Sequence, residues 1–194
     1  MRVVVTNAKN GNQIFLTEGF EYVVYGILVT ADETLFCVID DYERWPRWYS
    51  SNRFNCIDKK IPNDWLFLFF DDKQYKRDGE LRFVIGPNFI ASNTESYDAF
   101  VSDEMTSRDV LWKYVESQIE VAFIDNTTAL YVYDKRKMKI RMEKLSEGII
   151  FDSDTIKSWL PPYQNKIVAD LEKEQIQRLM SEYFDRHNIV YGWI

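Results

Sequence analysis

Phe20-Glu21-Tyr22-Val23-Val24-Tyr25-Gly26-Ile27-Leu28-Val29-Thr30, then Ala31-Asp32-Glu33, then Thr34-Leu35-Phe36-Cys37-Val38-Ile39, is the stretch that decides the fold. Its two arms are β-branched and aromatic, the side chains that suit a pleated, largely buried strand. The short acidic segment between them is a turn, so the pair reads as an antiparallel hairpin. Beyond it, Pro46 cannot donate to a central ladder. Trp48-Tyr49 and Arg53 to Ile57 then read as short strands of a small curled antiparallel sheet, or of an SH3-like barrel if the sheet closes. Ile61-Pro62-Asn63-Asp64 is a turn into Trp65-Leu66-Phe67-Leu68-Phe69-Phe70. That run is apolar on both faces and predicts a central strand covered on both sides. Asp78-Gly79 turns the chain into Leu81 to Gly86, a second hairpin.

Further along, the period changes. Leu111, Val115, Ile119 and Ala122 recur at helical spacing, with Thr106 or Ser107 before them as N-cap, and predict a helix near 107–122. Leu130 to Tyr133, Met138 to Met142 and Gly148 to Phe151 follow as strands. Pro161-Pro162 fixes a non-helical connector. Asp170 is the expected N-cap of an amphipathic helix near 170–187, with Leu171, Ile176, Leu179, Met180, Tyr183 and Phe184 on one side. Ile189 to Tyr191 is a closing strand. The expected class is therefore α+β: a mostly β region over 1–87 and an α+β region over 88–194, which contains antiparallel strands and two amphipathic helices. The polar stretch Asn88 to Ser107 is the candidate boundary.

The 194 residues carry a net charge of −7, which disfavours phosphate backbones and anionic lipid and favours a basic partner. Nucleic acid and membrane are thus not expected partners. The longest apolar run has six residues, far below a membrane-spanning helix, and the first residues lack a signal peptide's apolar core. A cytoplasmic protein is expected. Cys37 and Cys56 sit in strand-like segments and not in a Cys-x-x-Cys loop, so they predict reduced thiols.

Catalysis has no foothold in the inventory. Asp40, Asp41 and Glu43, with Asp58 after them, are the carboxylates for acid/base work, but adjacent strand residues point to opposite faces. The single histidine, His187, falls at the end of the last helix, where a cation complements the terminal carbonyls. Asp152-Ser153-Asp154 lacks the remaining ligands of a calcium loop. No nucleophile elbow or phosphate-binding glycine motif occurs. No cofactor or metal is expected, and the protein is read as non-enzymatic. Trp45, Trp48 and Tyr49 suggest an aromatic platform, which supports the alternative of a small β-barrel adaptor that recognises a peptide. A carboxylate-dependent hydrolase using Asp40, Asp41 or Asp58 is the other alternative.

Two patterns carry a resemblance. Glu21-Tyr22-x-x-Tyr25-Gly26-Ile27, Ile39-Asp40-Asp41, Pro46-x-Trp48-Tyr49, Phe54, Ile57-Asp58 and Ile61-Pro62-x-x-Trp65 together resemble small bacterial proteins encoded beside variable toxin loci. Trp159-x-Pro161-Pro162-Tyr163, Ile176, Tyr183-Phe184 and Asn188-Ile189-x-Tyr191 are similar to the C-terminal part of immunity proteins of bacterial polymorphic toxin systems. The resemblance implies a cytoplasmic protein that binds a cognate toxin domain, many such toxins being nucleases, and occludes its active surface. It assigns no contact residues. Charge points to Asp40, Asp41, Glu43, Asp71 and Asp72 for gripping a basic toxin, with Trp45 as an aromatic anchor.

Overall fold

A computed structural model of the chain describes residues 1–7, 16–41, 45–70, 81–102, 104–133, 135–165 and 167–194. The chain forms two compact units, Met1–Leu111 and Trp112–Ile194. The class is α+β, with small antiparallel sheets at the N-terminal end, as the residue patterns require.

The first unit begins with β1 (Arg2–Val5), β2 (Glu21–Val23), β3 (Gly26–Thr30) and β4 (Thr34–Ile39). The expected hairpin is β3 and β4, in antiparallel register from Gly26↔Cys37 to Val29↔Thr34. Thr30 holds its turn: the hydroxyl accepts from Asp32 N at 3.2 Å and Glu33 N at 3.0 Å. β5 (Pro46–Ser50), β6 (Phe54–Asp58), β7 (Leu66–Phe69) and β8 (Leu81–Gly86) complete the strands. They form two sheets, β2-β1-β6 and β5-β4-β3-β8-β7. The strands thus make two sheets packed face to face, the alternative to one closed barrel. Val3, Val5, Tyr22 and Phe54 from the smaller sheet meet Ile27, Phe36, Val38 and Ile85 from the larger one in a common core. Pro46 opens the edge strand β5, where its missing N–H costs least.

The opposite face of the larger sheet is covered by α1 (Asn88–Ala91) and α2 (Thr94–Ser102), which occupy the polar stretch expected as a boundary. Its apolar side chains explain this: Ile90, Ala91, Tyr97 and Phe100 are buried. Phe100 meets Trp48 edge-on at 6.5 Å, and Tyr97 meets Phe70 at 4.8 Å. Gly26 permits the close packing there, because a Cβ would stand 3.0 Å from Trp48 Cη2 and 3.4 Å from Ile90 Cδ1.

The Trp65 to Phe70 run departs from expectation. It is not a central strand: β7 ends the five-stranded sheet and pairs only with β8 among the described residues. Trp65 and Phe70 anchor its two ends in the core, while Phe67 and Phe69 are 58% and 71% exposed. The narrower sheet opposite leaves them uncovered. An apolar run on both faces reads as central because burial is its usual cause; here exposure persists.

α3 (Glu104–Ser117) follows, and the division between the units falls within it. The helix stops five residues before the expected end. Ile119 and Ala122 continue its spacing but belong to β9 (Ile119–Phe123), where pairing with β10 (Thr128–Tyr133) overrides helical periodicity. β11 (Arg136–Lys144), β12 (Ile149–Phe151), α4 (Asp170–Arg186) and β13 (Tyr191–Trp193) complete the second unit. Its sheet runs β13-β12-β11-β10-β9, antiparallel except for the parallel β12/β13 pair. β11 alternates strictly, with Met138, Ile140 and Met142 buried and Lys137, Lys139 and Arg141 exposed. α4 buries Ile176, Leu179, Met180 and Phe184, and Phe184 stacks on Phe151 at 5.2 Å. Ala169, and not Asp170, is the N-cap of α4; Asp170 and Glu172 instead place negative charge in the first turn. The helix ends at Arg186 with His187 as C-cap, and Asn188 beyond it is left-handed at φ 53°, a conformation asparagine tolerates.

Candidate partner-binding site

The acidic tract after β4 is built from the inside. Asp40 is fully buried, and its Oδ2 accepts from Arg47 Nε at 2.8 Å. Asp40 N donates to Trp45 O at 3.0 Å and closes the loop between β4 and β5. Asp41 is equally engaged: its Oδ2 accepts from Thr17 N at 3.0 Å, from Thr17 Oγ1 at 2.8 Å and from the Tyr22 hydroxyl. Burial, reinforced by this carboxylate, holds the Tyr22 phenol well above its ordinary range, so the proton stays on the tyrosine. Asp40 and Asp41 are therefore both engaged within the fold, Asp40 also through its main-chain bond to Trp45. Trp45 is half-buried, and the Arg108 guanidinium lies 5.8 Å from its ring centroid, within cation–π range. Glu43, Asp71 and Asp72 lie outside the described residues.

Trp48 and Tyr49 do not join Trp45 in a platform. As neighbours on β5 they face opposite ways: Trp48 packs toward Gly26 and Phe100, Tyr49 toward the core between the sheets. Burial, then Asp40, raises the Tyr49 phenol. The carboxylates named for hydrolysis do not converge either. Asp58 sits in the smaller sheet, with its Oδ1 accepting from Lys60 N at 3.0 Å and its Oδ2 3.8 Å from Arg2. That backbone hydrogen bond, and Arg2 after it, lowers its pKa. His187 Nδ1 lies 2.7 Å from Tyr183 O, and its ring stacks on Tyr183. Asp154 pairs with Lys173 at 3.0 Å, and Asp152 accepts from Asp154 N, so this segment is a turn. Cys37 and Cys56 are free thiols, and burial pushes Cys37 far up. Among the described residues no three His, Cys, Asp or Glu side chains are grouped to hold a metal, and no helix is long and apolar enough to cross a membrane.

Two arrangements escaped the linear pattern. The first is β7. Phe70 N donates to Arg82 O at 3.0 Å, so residues 66, 68 and 70 turn their main-chain groups toward β8, and Phe67 and Phe69 turn theirs to the outer edge. Their rings flank Phe83 at 6.5 and 5.7 Å and form an apolar shelf. Nothing in the run distinguishes it from a buried strand. The second is a buried cluster in the second unit. Glu172 Oε1 accepts from Arg136 Nη1 at 3.0 Å and from Trp159 Nε1 at 3.1 Å, and the Arg136 guanidinium lies 4.2 Å above the Trp159 ring. These three residues are far apart in sequence, and no local motif joins them.

The charge is uneven along the chain. Residues 1–111 hold 12 Lys and Arg against 18 Asp and Glu, and residues 112–194 hold 12 against 13, so the acidity belongs to the first unit.

No curated protein and no solved structure matches the chain. A family model does: residues 124–192 match Immunity protein 74. The matched segment runs from just before β10 into β13, takes in the Arg136–Glu172–Trp159 cluster, and contains the tail pattern from Trp159 to Tyr191; the tract over residues 21–65 lies outside it. Over that segment the chain resembles an immunity protein of toxin systems.

Proposed function

We propose that this protein is an immunity protein that binds a cognate toxin domain and covers the surface the toxin needs, without chemistry of its own. The observation that carries this is the match of residues 124–192 to Immunity protein 74. The finer reading concerns the partner. An excess of negative charge on the first unit attracts a basic toxin surface, and a nuclease domain, built to meet phosphate, presents one. In this reading the toxin meets the immunity protein in the cytoplasm, Trp45 is an anchor, and Asp40, through its main-chain bond to Trp45, closes the loop that carries it. Glu43, Asp71 and Asp72 add charge to the same unit.

The test is co-expression in bacteria with the toxin domain encoded beside this gene. Relief of growth arrest, together with a purified one-to-one complex that weakens as salt rises, is the expected result. Growth that stays arrested while the chain accumulates in soluble form would refute the reading.

A further inference from the structure

Edge strands are ordinarily short, charged, bulged or covered, because an open row of N–H and C=O groups pairs with any available strand. β7 has none of the charge that blunts an edge: it reads Leu66-Phe67-Leu68-Phe69. Three of its four residues, Leu66, Phe67 and Phe69, are large hydrophobics left 42%, 58% and 71% exposed. The side chains of Phe67 and Phe69 lie on one face beside Phe83, while their main-chain groups point along the outer edge. Together these features specify an occupant. It is an extended backbone that supplies two donors and two acceptors, with apolar side chains at alternate positions to lie over the phenylalanine shelf.

We propose that β7 is the edge onto which the toxin domain docks an extended segment, adding a sixth strand to the β5-β4-β3-β8-β7 sheet. This rests on the immunity reading above and names the surface through which the toxin is held. A second copy of the chain is the competing occupant, and two observations disfavour it. The exposed parts of Leu66, Phe67 and Phe69 amount to on the order of 300 Å² per copy, taking about 200 Å² for a whole aromatic side chain. Two such edges fall well short of the roughly 1,200 Å² that a stable interface needs. Any partner that reaches that area must also cover surface of the first unit around β7. Charge points the same way: two copies meeting through their first units bring like charges together, whereas a basic domain is drawn to the 18 carboxylates set against 12 cations there.

The experiment uses the full chain and the toxin domain encoded beside its gene, with affinity measured by calorimetry. Phe69→Pro removes an outward N–H without touching the β8 ladder, so the fold is retained and binding weakens about tenfold or more. Phe67→Lys with Phe69→Lys replaces the shelf by charge and weakens binding further. Hydrogen exchange on the wild-type chain needs no variant: the amides of Phe67 and Phe69 become protected when the toxin binds. A wild-type chain that does not bind the toxin overturns the immunity reading and this one together. Binding that survives both variants, with the two amides still exchanging freely, overturns the edge assignment alone. So does a concentration-dependent dimer that Phe69→Pro abolishes, since the second copy is then the occupant.

Discussion

Glu172→Ala tests the buried cluster of the second unit. The Glu172 carboxylate accepts from both Arg136 and Trp159 through one oxygen, and the Arg136 and Glu172 side chains are only 7% and 12% exposed. Removing one partner of a buried ion pair costs about 3–5 kcal/mol, because the remaining charge keeps its desolvation without its carboxylate. At roughly 2–4 °C per kcal/mol for a chain of this size, the midpoint of thermal unfolding falls by on the order of 10 °C. Glu172→Gln keeps an oxygen acceptor and loses only the charge, so it costs less, about 1–3 kcal/mol. The assay is urea unfolding followed by circular dichroism, with Glu172→Met, Arg136→Met and the Arg136→Met/Glu172→Met double variant forming a cycle. The double variant should lose at least about 1 kcal/mol less than the two singles together, since apolar replacement of both charges removes the buried pair as a unit. If Glu172→Ala costs under about 1 kcal/mol, or if the cycle is additive, Arg136 and Glu172 do not act as a unit and the reasoning fails.

Three further outcomes are expected. Gly26→Ala places a methyl 3.0 Å from Trp48 Cη2 and 3.4 Å from Ile90, so it overpacks the contact between sheet and helices and lowers stability by about 1–3 kcal/mol in urea unfolding; an unchanged midpoint would show that Trp48 yields freely. The pKa of Asp58 is lowered in the folded protein, so its contribution to stability is present above the unfolded carboxyl pKa of about 4 and is lost as pH falls through the folded value. Asp58→Asn should therefore lower the urea midpoint at pH 7 and leave little difference from wild type near pH 2; a constant gap across that window contradicts the assignment. Cys56, partly exposed, should react with a thiol reagent well before Cys37, which is buried and has a raised pKa; equal rates under native conditions would mean that the larger sheet opens readily.

The β3/β4 hairpin was legible because its signal is local: two β-branched arms and an acidic turn within twenty residues. α4 was legible for the same reason, its apolar stripe recurring over seventeen residues and ending near His187. α1 and α2 were not, since Asn, Ser, Thr and Glu dominate the segment and only Ile90, Ala91, Tyr97 and Phe100 mark the buried side. β9 was misread as helix because Leu111, Val115, Ile119 and Ala122 keep helical spacing across a boundary that only the pairing with β10 enforces. Among the proposed contact residues, Asp40 and Asp41 read as acidic surface in the chain, yet their partners are Arg47, Thr17 and Tyr22, the last two some twenty residues away.

What the sequence determined by itself is what neighbouring residues decide among themselves: the α+β class, the hairpins, the terminal helix, the acidity, and a tail that resembles immunity proteins. Tertiary structure alone decided which strand ends a sheet and which carboxylate faces a cation. Both depend on pairings between distant segments, and side-chain periodicity records only which way each residue points along its own element. Leu66–Phe69 has the composition of a buried strand; its exposure follows from strand order, in which β8 lies on one side and no described strand on the other.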